Sequence, residues 1–282
     1  MKPRSPALEL ATHGLLVAAV AFALYPVLWV VALALSASGQ PSASAFPWPE
    51  AVSLGSFRAV LLHHDAAGRW LFARQLLNSL GIAGATAGAS VALATPAAYA
   101  LARFEFVGAR AGERALLATQ MFPGVASSVP LYLLLDALGL LDSHGGLVLV
   151  YATTAVPFAI FQLRGAFEAI PRELEEAAMV DGATRWQAFV KVVLPAARPA
   201  IAITCLFAFM SAWNEYILAA TFLSREETFT LPVALQRYVG EYDAAWGSFA
   251  AGAVLVSLPV MAVFYAVQRH LVGGLTAGGV KG

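Results

Sequence analysis

Lysines, histidines, cysteines and carboxylates are the side chains most able to do chemistry, and their spacing in this chain supports little catalysis. A phosphate-binding loop needs Gly-Lys followed by Ser or Thr, whereas Lys2, Lys191 and Lys281 precede Pro, Val and Gly, so the chain itself is not expected to hydrolyse ATP. His13, His63, His64, His144 and His270 form no spaced ligand set with carboxylates, and His63-His64 reads as a solvated pair. Cys205, the single cysteine, lies in an apolar run and offers neither a disulfide nor a thiolate metal site. No nucleophile, base and orienting group fall into a pattern, which argues against a membrane-bound enzyme. Two places remain: Glu215, flanked by Trp213, Asn214 and Tyr216, and the polar stretch from Glu168 to Pro199.

Glu215 is the one formal charge well inside a long apolar run rather than at its edge, and a carboxylate in that setting usually faces a cavity or a partner. With Trp213, Asn214 and Tyr216 it makes a polar, aromatic cluster suited to sugar hydroxyls and ring faces. The other reading is an interfacial aromatic anchor with a solvated carboxylate. The polar stretch reads as two short helices. Pro171 suits a first turn, Glu173, Glu175 and Glu176 favour the positive N-terminal end, and Gly182 is placed to end the helix in a left-handed conformation. A second helix starts at Thr184, whose spacing to Gln187 fits a capping box; Trp186, Phe189, Val190 and Val193 form an apolar stripe, and Leu194-Pro195 closes it. Ala177 and Ala178 beside Glu176 would let another protein's backbone come close. A groove on a partner and a plain surface hairpin are both compatible with these residues.

The elements that must carry these groups follow from composition. The chain is 60% hydrophobic and 12% charged, with a mean hydropathy of +0.73, too oily to coat a water-soluble globule of this size. Net charge is zero and no basic tract stands out, which excludes a nucleic-acid binder. A helix needs about 20 apolar residues to cross the hydrocarbon layer. Six runs fit: 14–35, 76–102, 115–137, 144–163, 199–222 and 246–268. The first follows Lys2 and Arg4, but it is longer than a cleavable signal core and reads as an anchor. With both termini inside, the inner segments hold Lys2, Arg4, Arg103, Arg110, Arg114, Arg164, Arg172, Arg185, Lys191, Arg198, Arg269 and Lys281, the greater share of the 17 Lys and Arg. Residues 1–13 then form an inner N-terminus, 168–198 an inner loop and 271–282 an inner tail. Pro26, Pro96, Pro123, Pro130, Pro157 and Pro259 within the runs suggest kinked helices around an internal pathway. Gly84 and Gly88 form a small face for close helix approach, expected to pack inside the molecule, with a subunit interface as the alternative. The outward loops, 36–74 and 225–243, could meet an external partner or merely cap helix ends.

Glu176-Ala177-Ala178, three residues, Gly182, nine residues, Val192, one residue and Leu194-Pro195 together resemble the EAA loop of permease subunits in bacterial ATP-binding-cassette (ABC) importers. Val192 stands where the family usually has Ile. Asn78-Ser79-Leu80, Ala98-Tyr99-Ala100, Met121-Phe122-Pro123 and the end from Gln268-Arg269 through Leu275 to Gly282 are similar to the carbohydrate branch, above all the shorter permease subunit of maltose/maltodextrin importers. The likeness covers most of the chain from the second run onward and is weakest in the first outward loop.

The resemblance implies an all-α, polytopic membrane helix bundle with six transmembrane helices and a cytoplasmic EAA coupling-helix loop, in a bacterial cytoplasmic (inner) membrane. It implies a heterodimer with a second permease, an ATPase dimer that binds ATP and Mg, an external sugar-binding protein and a sugar substrate, with no cofactor or metal in this chain. Glu176, Ala177, Ala178, Gly182, Leu194 and Pro195 carry over as ATPase-coupling residues. Thr276, Ala277, Gly278, Gly279, Val280, Lys281 and Gly282 carry over as a tail that reaches the ATPase. Maltose or maltodextrin leads among substrates, followed by trehalose and other glucosides. A secondary carrier that needs no ATPase is the competing class: Glu215 and the kinked runs favour it, and the EAA loop opposes it.

Overall fold

The computed structural model describes residues 6–42, 44, 48–65, 67–122, 124–240 and 244–278, and these form an all-helical membrane protein. Four helices are long and apolar enough to cross a bilayer: 8–35, 71–103, 144–168 and 246–268. The chain divides into two compact units, one of residues 1–73 with 234–258 and one of residues 74–233 with 259–282.

In the first unit, α1 (Pro6–Leu35) is apolar all round and nearly all of its membrane-length window is exposed, as expected of a helix solvated by lipid. It packs on the short α2 (Gly55–Leu61). Leu35 and Ala37 pair with Ser53 and Ala51 through backbone hydrogen bonds, closing the loop between the helices. Gly39, at φ +62°, turns so that its carbonyl accepts from the amide of Gly247 at 2.9 Å; a Cβ on Gly247 would sit 2.8 Å from the Gly39 Cα, so this approach requires glycine.

The second unit is built around α3 (Leu71–Arg103), followed by α4 (Ala109–Gln120), a 3₁₀ turn at Gly124–Ser127, α5 (Ser128–Ala137) and α6 (His144–Glu168). A helical hairpin comes next, with α7 (Arg172–Val180) and α8 (Arg185–Ala188), then α9 (Leu194–Ala196), α10 (Arg198–Asn214) and α11 (Ile217–Phe222). Helices α12 (Leu231–Gln236) and α13 (Trp246–Gly278) complete the chain. The core at one end of this unit joins Ala94, Ala98 and Ala102 of α3 to Ile160, Leu163 and Phe167 of α6, with Phe189, Val193 and Ala197 closing over them. Three alanines at four-residue spacing make the stripe by which α3 joins this cluster.

Three expectations are corrected and one is refined. The run 115–137 is not one helix: α4 ends at Gln120 and α5 begins at Ser128. Gly124 opens the 3₁₀ turn that fills the break, and Pro123 lies outside the described residues. The run 199–222 is also interrupted, because α10 ends at Asn214 and Glu215 is extended, with ψ 130°. The helix before α10 meets it at a 73° bend. Leu194-Pro195 closes the second hairpin helix as expected, at Ala196, but the helix is longer than one run of α-turns, passing through one π-turn at Phe189–Val193 into α9. Pro195 has no amide to give the carbonyl of Lys191, and widening the preceding turn relieves the ring's clash with it. Finally, Gly84 and Gly88 are exposed, with no atom within 4 Å of where a Cβ would stand, and α3 packs by its alanine stripe instead.

Candidate functional site

The hairpin between α6 and α10 is set by local rules at its tips and by long-range bonds at its base. Gly182 is left-handed at φ +90°, and the amides of Ala183 and Gly182 donate to the carbonyls of Ala178 and Met179 at 3.0 and 3.1 Å. That pattern is a Schellman ending of α7. Thr184 and Gln187 exchange both capping-box bonds, at 3.2 and 2.8 Å, so α8 starts where its sequence requires. Of the apolar stripe, Phe189 and Val193 are buried while Trp186 is exposed and tilted on Phe189. Glu176 and Ala177 are exposed and Ala178 is half-buried, which leaves one small-faced, acidic flank of α7 free of this chain. Leu194 and Pro195 are half-buried, Leu194 against the core below.

Glu175, one residue earlier, turns the other way. Its carboxylate accepts from Arg103 Nε at 2.5 Å and from the Tyr99 hydroxyl at 2.8 Å, and the Arg103 and Glu175 side chains are only 6% and 10% exposed. Arg103 also donates to the Ile170 carbonyl at 2.9 Å, and Arg172 donates to the Ala102 carbonyl at 3.3 Å. The base of α7 is thereby tied to the last turn of α3. Sequence reasoning assigned Glu175 only to the helix N-terminus and gave Arg103 no role but topology. The signal available was Ala98-Tyr99-Ala100 with Arg103 following, but nothing in it names Glu175 as partner. A second ion-pair set joins α4 to α6: Arg164 pairs with Glu168 at 2.7 Å and with Glu113.

At the opposite end of α3, residues 226–230 form no regular helix before α12, and side chains satisfy the backbone there and at Leu231. Gln75 donates to the Glu226 carbonyl at 3.1 Å, Asn78 to those of Glu227 and Phe229 at 2.9 and 3.0 Å, and Ser79 Oγ accepts from the Leu231 amide at 2.7 Å. Asp142, itself left-handed at φ 52°, gathers the amides of Ser224 and Arg225, the Thr228 hydroxyl and the Arg225 guanidinium. Burial raises the Asp142 pKa, but these donors outweigh it and hold the carboxyl at about 2. A folded pKa below the ordinary 3.8 adds stability that is complete above pH 4 and fades as pH falls through about 2. Amide exchange over 223–231 should therefore stay slow at neutral pH and accelerate as pH drops from 4 toward 2, after correction for intrinsic exchange. In Asp142→Ala it should be fast at all pH values, the loss of charged hydrogen bonds costing about 2–3 kcal/mol; equal protection in both proteins would refute the clamp.

The membrane cluster is split by the structure. Trp213 is buried and stacked on Phe209 with centroids 5.5 Å apart, and Asn214 bonds back to the Met210 carbonyl at 2.9 Å. Tyr216 is exposed. Glu215 fills the break between α10 and α11: its Oε1 accepts from the Leu218 amide at 2.8 Å, and its Oε2 accepts from the Ala219 amide at 3.0 Å and from the Tyr151 hydroxyl at 2.5 Å. A larger cavity of about 980 Å³ lies between α3, α4, α5 and α6, with Leu93, Thr119, Gln120, Phe122, Ser127, Thr153 and Thr154 in its wall and no ionisable side chain among its lining residues. Leu218 alone carries the fifth run to it. Thr276, Ala277 and Gly278 lie in the last turns of α13, and Gly279, Val280, Lys281 and Gly282 are outside the described residues. Among the described residues, no group of His, Cys, Asp and Glu is arranged to hold a metal ion.

Comparison with known proteins adds a family. The group described as binding-protein-dependent transport system inner membrane component matches residues 90–276. The trehalose transport system permease protein SugB of Mycobacterium tuberculosis is 38% identical over 265 residues, covering 93% of this chain and 94% of that protein. The maltose/maltodextrin transport system permease protein MalG of Escherichia coli K12 is 38% identical over 301 residues, covering 100% and 99%. A crystal structure of a bacterial ABC transporter that imports the acidic polysaccharide alginate contains a chain that matches with a TM-score of 0.77 and 27% identity, over 95% of this chain and 99% of that one.

Proposed function

Because the chain belongs to the family of binding-protein-dependent transport system inner membrane components, we propose that its α7–α9 hairpin is the point where a partner ATPase drives sugar import. The chain is a non-catalytic permease subunit of an ABC sugar importer. Its substrate is a maltodextrin-like oligosaccharide, with trehalose as the alternative, delivered by an external binding protein. A cavity wall without ionisable groups favours such neutral sugars over an acidic polysaccharide.

The observation that carries the reading is the division of labour on α7: Glu176 and Ala177 face out, while the adjacent Glu175 is bonded into the end of α3. A helix accessible on one flank and anchored on the other can receive a push and pass it on. In this reading Glu176, Ala177, Ala178, Gly182, Leu194 and Pro195 couple to an ATPase dimer that holds ATP and Mg. The end of the chain, from Thr276 to Gly282, contacts the same dimer. A second permease completes a heterodimer in a bacterial inner membrane, and this chain crosses six times with both termini cytoplasmic. Residues 1–13, 14–270 with the loop 168–198, and 271–282 are then the cytoplasmic, spanning and tail regions. Trp213, Asn214, Glu215 and Tyr216 lie along or beside the sugar path, and alternating access opens the bundle to each side in turn.

The test is Glu176→Lys in vesicles that carry the second permease, the ATPase and the binding protein. Reversed charge on the exposed flank should reduce ATPase co-purification and lower sugar uptake at least tenfold, with the chain still inserted. Unchanged assembly and uptake would refute the docking role.

A further inference from the structure

Beside the large cavity lies a recess of about 30 Å³ bounded by Thr86, Tyr151, Thr154, Ser211, Glu215 and Leu218. Thr154 and Leu218 belong to both walls, so the recess opens beside the cavity rather than apart from it. Thr86 is fully buried, and its hydroxyl has no hydrogen-bond partner within the chain. Leaving such a group unpaired is costly, and a guest oxygen would satisfy it.

The rest of the lining says what the guest must be. A carboxylate has about four acceptor positions. Glu215 uses one on Oε1 and two on Oε2, which leaves Oε1 able to accept once more. Thr154 has already given its proton to the Tyr151 carbonyl at 2.9 Å, and Tyr151 has given its own to Glu215, so both retain only acceptor capacity here. The recess thus offers several acceptors and two uncommitted hydroxyls, the buried one of Thr86 and that of the exposed Ser211, in a volume that suits a single water-sized oxygen. An anion would meet the Glu215 charge.

We propose that this recess binds one neutral hydroxyl, which donates toward Glu215 and pairs with Thr86. Its source is either a water or a hydroxyl of a carbohydrate in the adjoining cavity, and the second source rests on the reading of that cavity as the sugar path. Bound there, the oxygen bridges α3 to the break between α10 and α11, so the recess links a spanning helix to the one interruption in the fifth run.

Electron cryomicroscopy of the assembled wild-type transporter, with and without sugar, decides between the sources. Density within hydrogen-bond distance of Thr86 Oγ1 and a Glu215 carboxylate oxygen in both states identifies water; density that appears only with sugar identifies the carbohydrate. An empty recess in both overturns the proposal. Thr86→Val keeps the shape and removes the hydroxyl. With water as guest it should lower the melting temperature by about 2–4 °C and leave the apparent KM for uptake unchanged. With a carbohydrate as guest it should raise that KM about three- to tenfold and leave the sugar-free melting temperature alone. Thr86→Ser should match wild type in both. A Val variant unchanged in both melting temperature and KM, or stabilised with no rise in KM, a Ser variant that behaves like Val, or a melting temperature that follows sodium at constant ionic strength overturns the proposal. If wild-type vesicles import no sugar, the transport reading fails by itself, and the density and melting comparisons still judge the recess.

Discussion

Arg103→Ala is expected to remove most sugar uptake while the chain still reaches the membrane. Arg103 and Glu175 are a buried ion pair at 2.5 Å between the end of α3 and the base of α7, and the same arginine holds the Ile170 carbonyl at the start of the hairpin. Removing one partner strands a buried carboxylate, which costs about 3–5 kcal/mol, more than the hairpin's few local bonds can hold against. The hairpin should then detach from α3, and uptake should fall at least tenfold at normal expression. Replacing both residues by methionine removes the stranded charge and should return thermal stability close to wild type. If uptake stays low in that double variant, the pair transmits movement rather than only holding the fold. Wild-type uptake by Arg103→Ala, at wild-type expression, would sink the idea.

The second large effect is expected at Gly182. Nothing lies within 4 Å of a Cβ there, so any loss on substitution comes from the φ of +90° and not from collision. An ordinary L residue in the left-handed region costs about 1–2 kcal/mol, and asparagine less. Proline cannot adopt it at all and also deletes the amide that donates to the Met179 carbonyl. ATPase co-purification and uptake should decline in the order Asn, Ala, Val, Pro, with Gly182→Pro at background. A proline variant that assembles and transports normally would show that the angle between α7 and α8 is irrelevant to docking.

What the sequence made legible follows the range of the forces involved. Gly182, Thr184 and Gln187 act on neighbours within four residues, and they form the ending and the capping box expected of them. Long apolar runs gave the membrane class, and α1, α3, α6 and α13 are the helices they describe. Glu215 was recognisable as a carboxylate needing company, but Tyr151 lies 64 residues away and periodicity carries no trace of it. The Glu175–Arg103 tie spans 72 residues and was equally silent. Gly84 and Gly88 misled because Ala94, Ala98 and Ala102 repeat the same spacing on a different face, and only packing chooses between the two faces.

Helix α3 is held at both ends. Asn78 grips the segment around Glu227 and Phe229, and Arg103 grips the hairpin. The 25 residues between them span about 38 Å at the ordinary helical rise. A rod of that length converts small angles into long strokes: pivoting about its middle, a 10° tilt carries each end about 3 Å, in opposite directions. Displacement of the hairpin at one membrane face then needs no chain of relayed contacts to reach the segment at the other. The gearing is set by where the helix pivots, and Pro96, seven residues from Arg103, makes the hairpin arm the shorter and more compliant one if the helix flexes there.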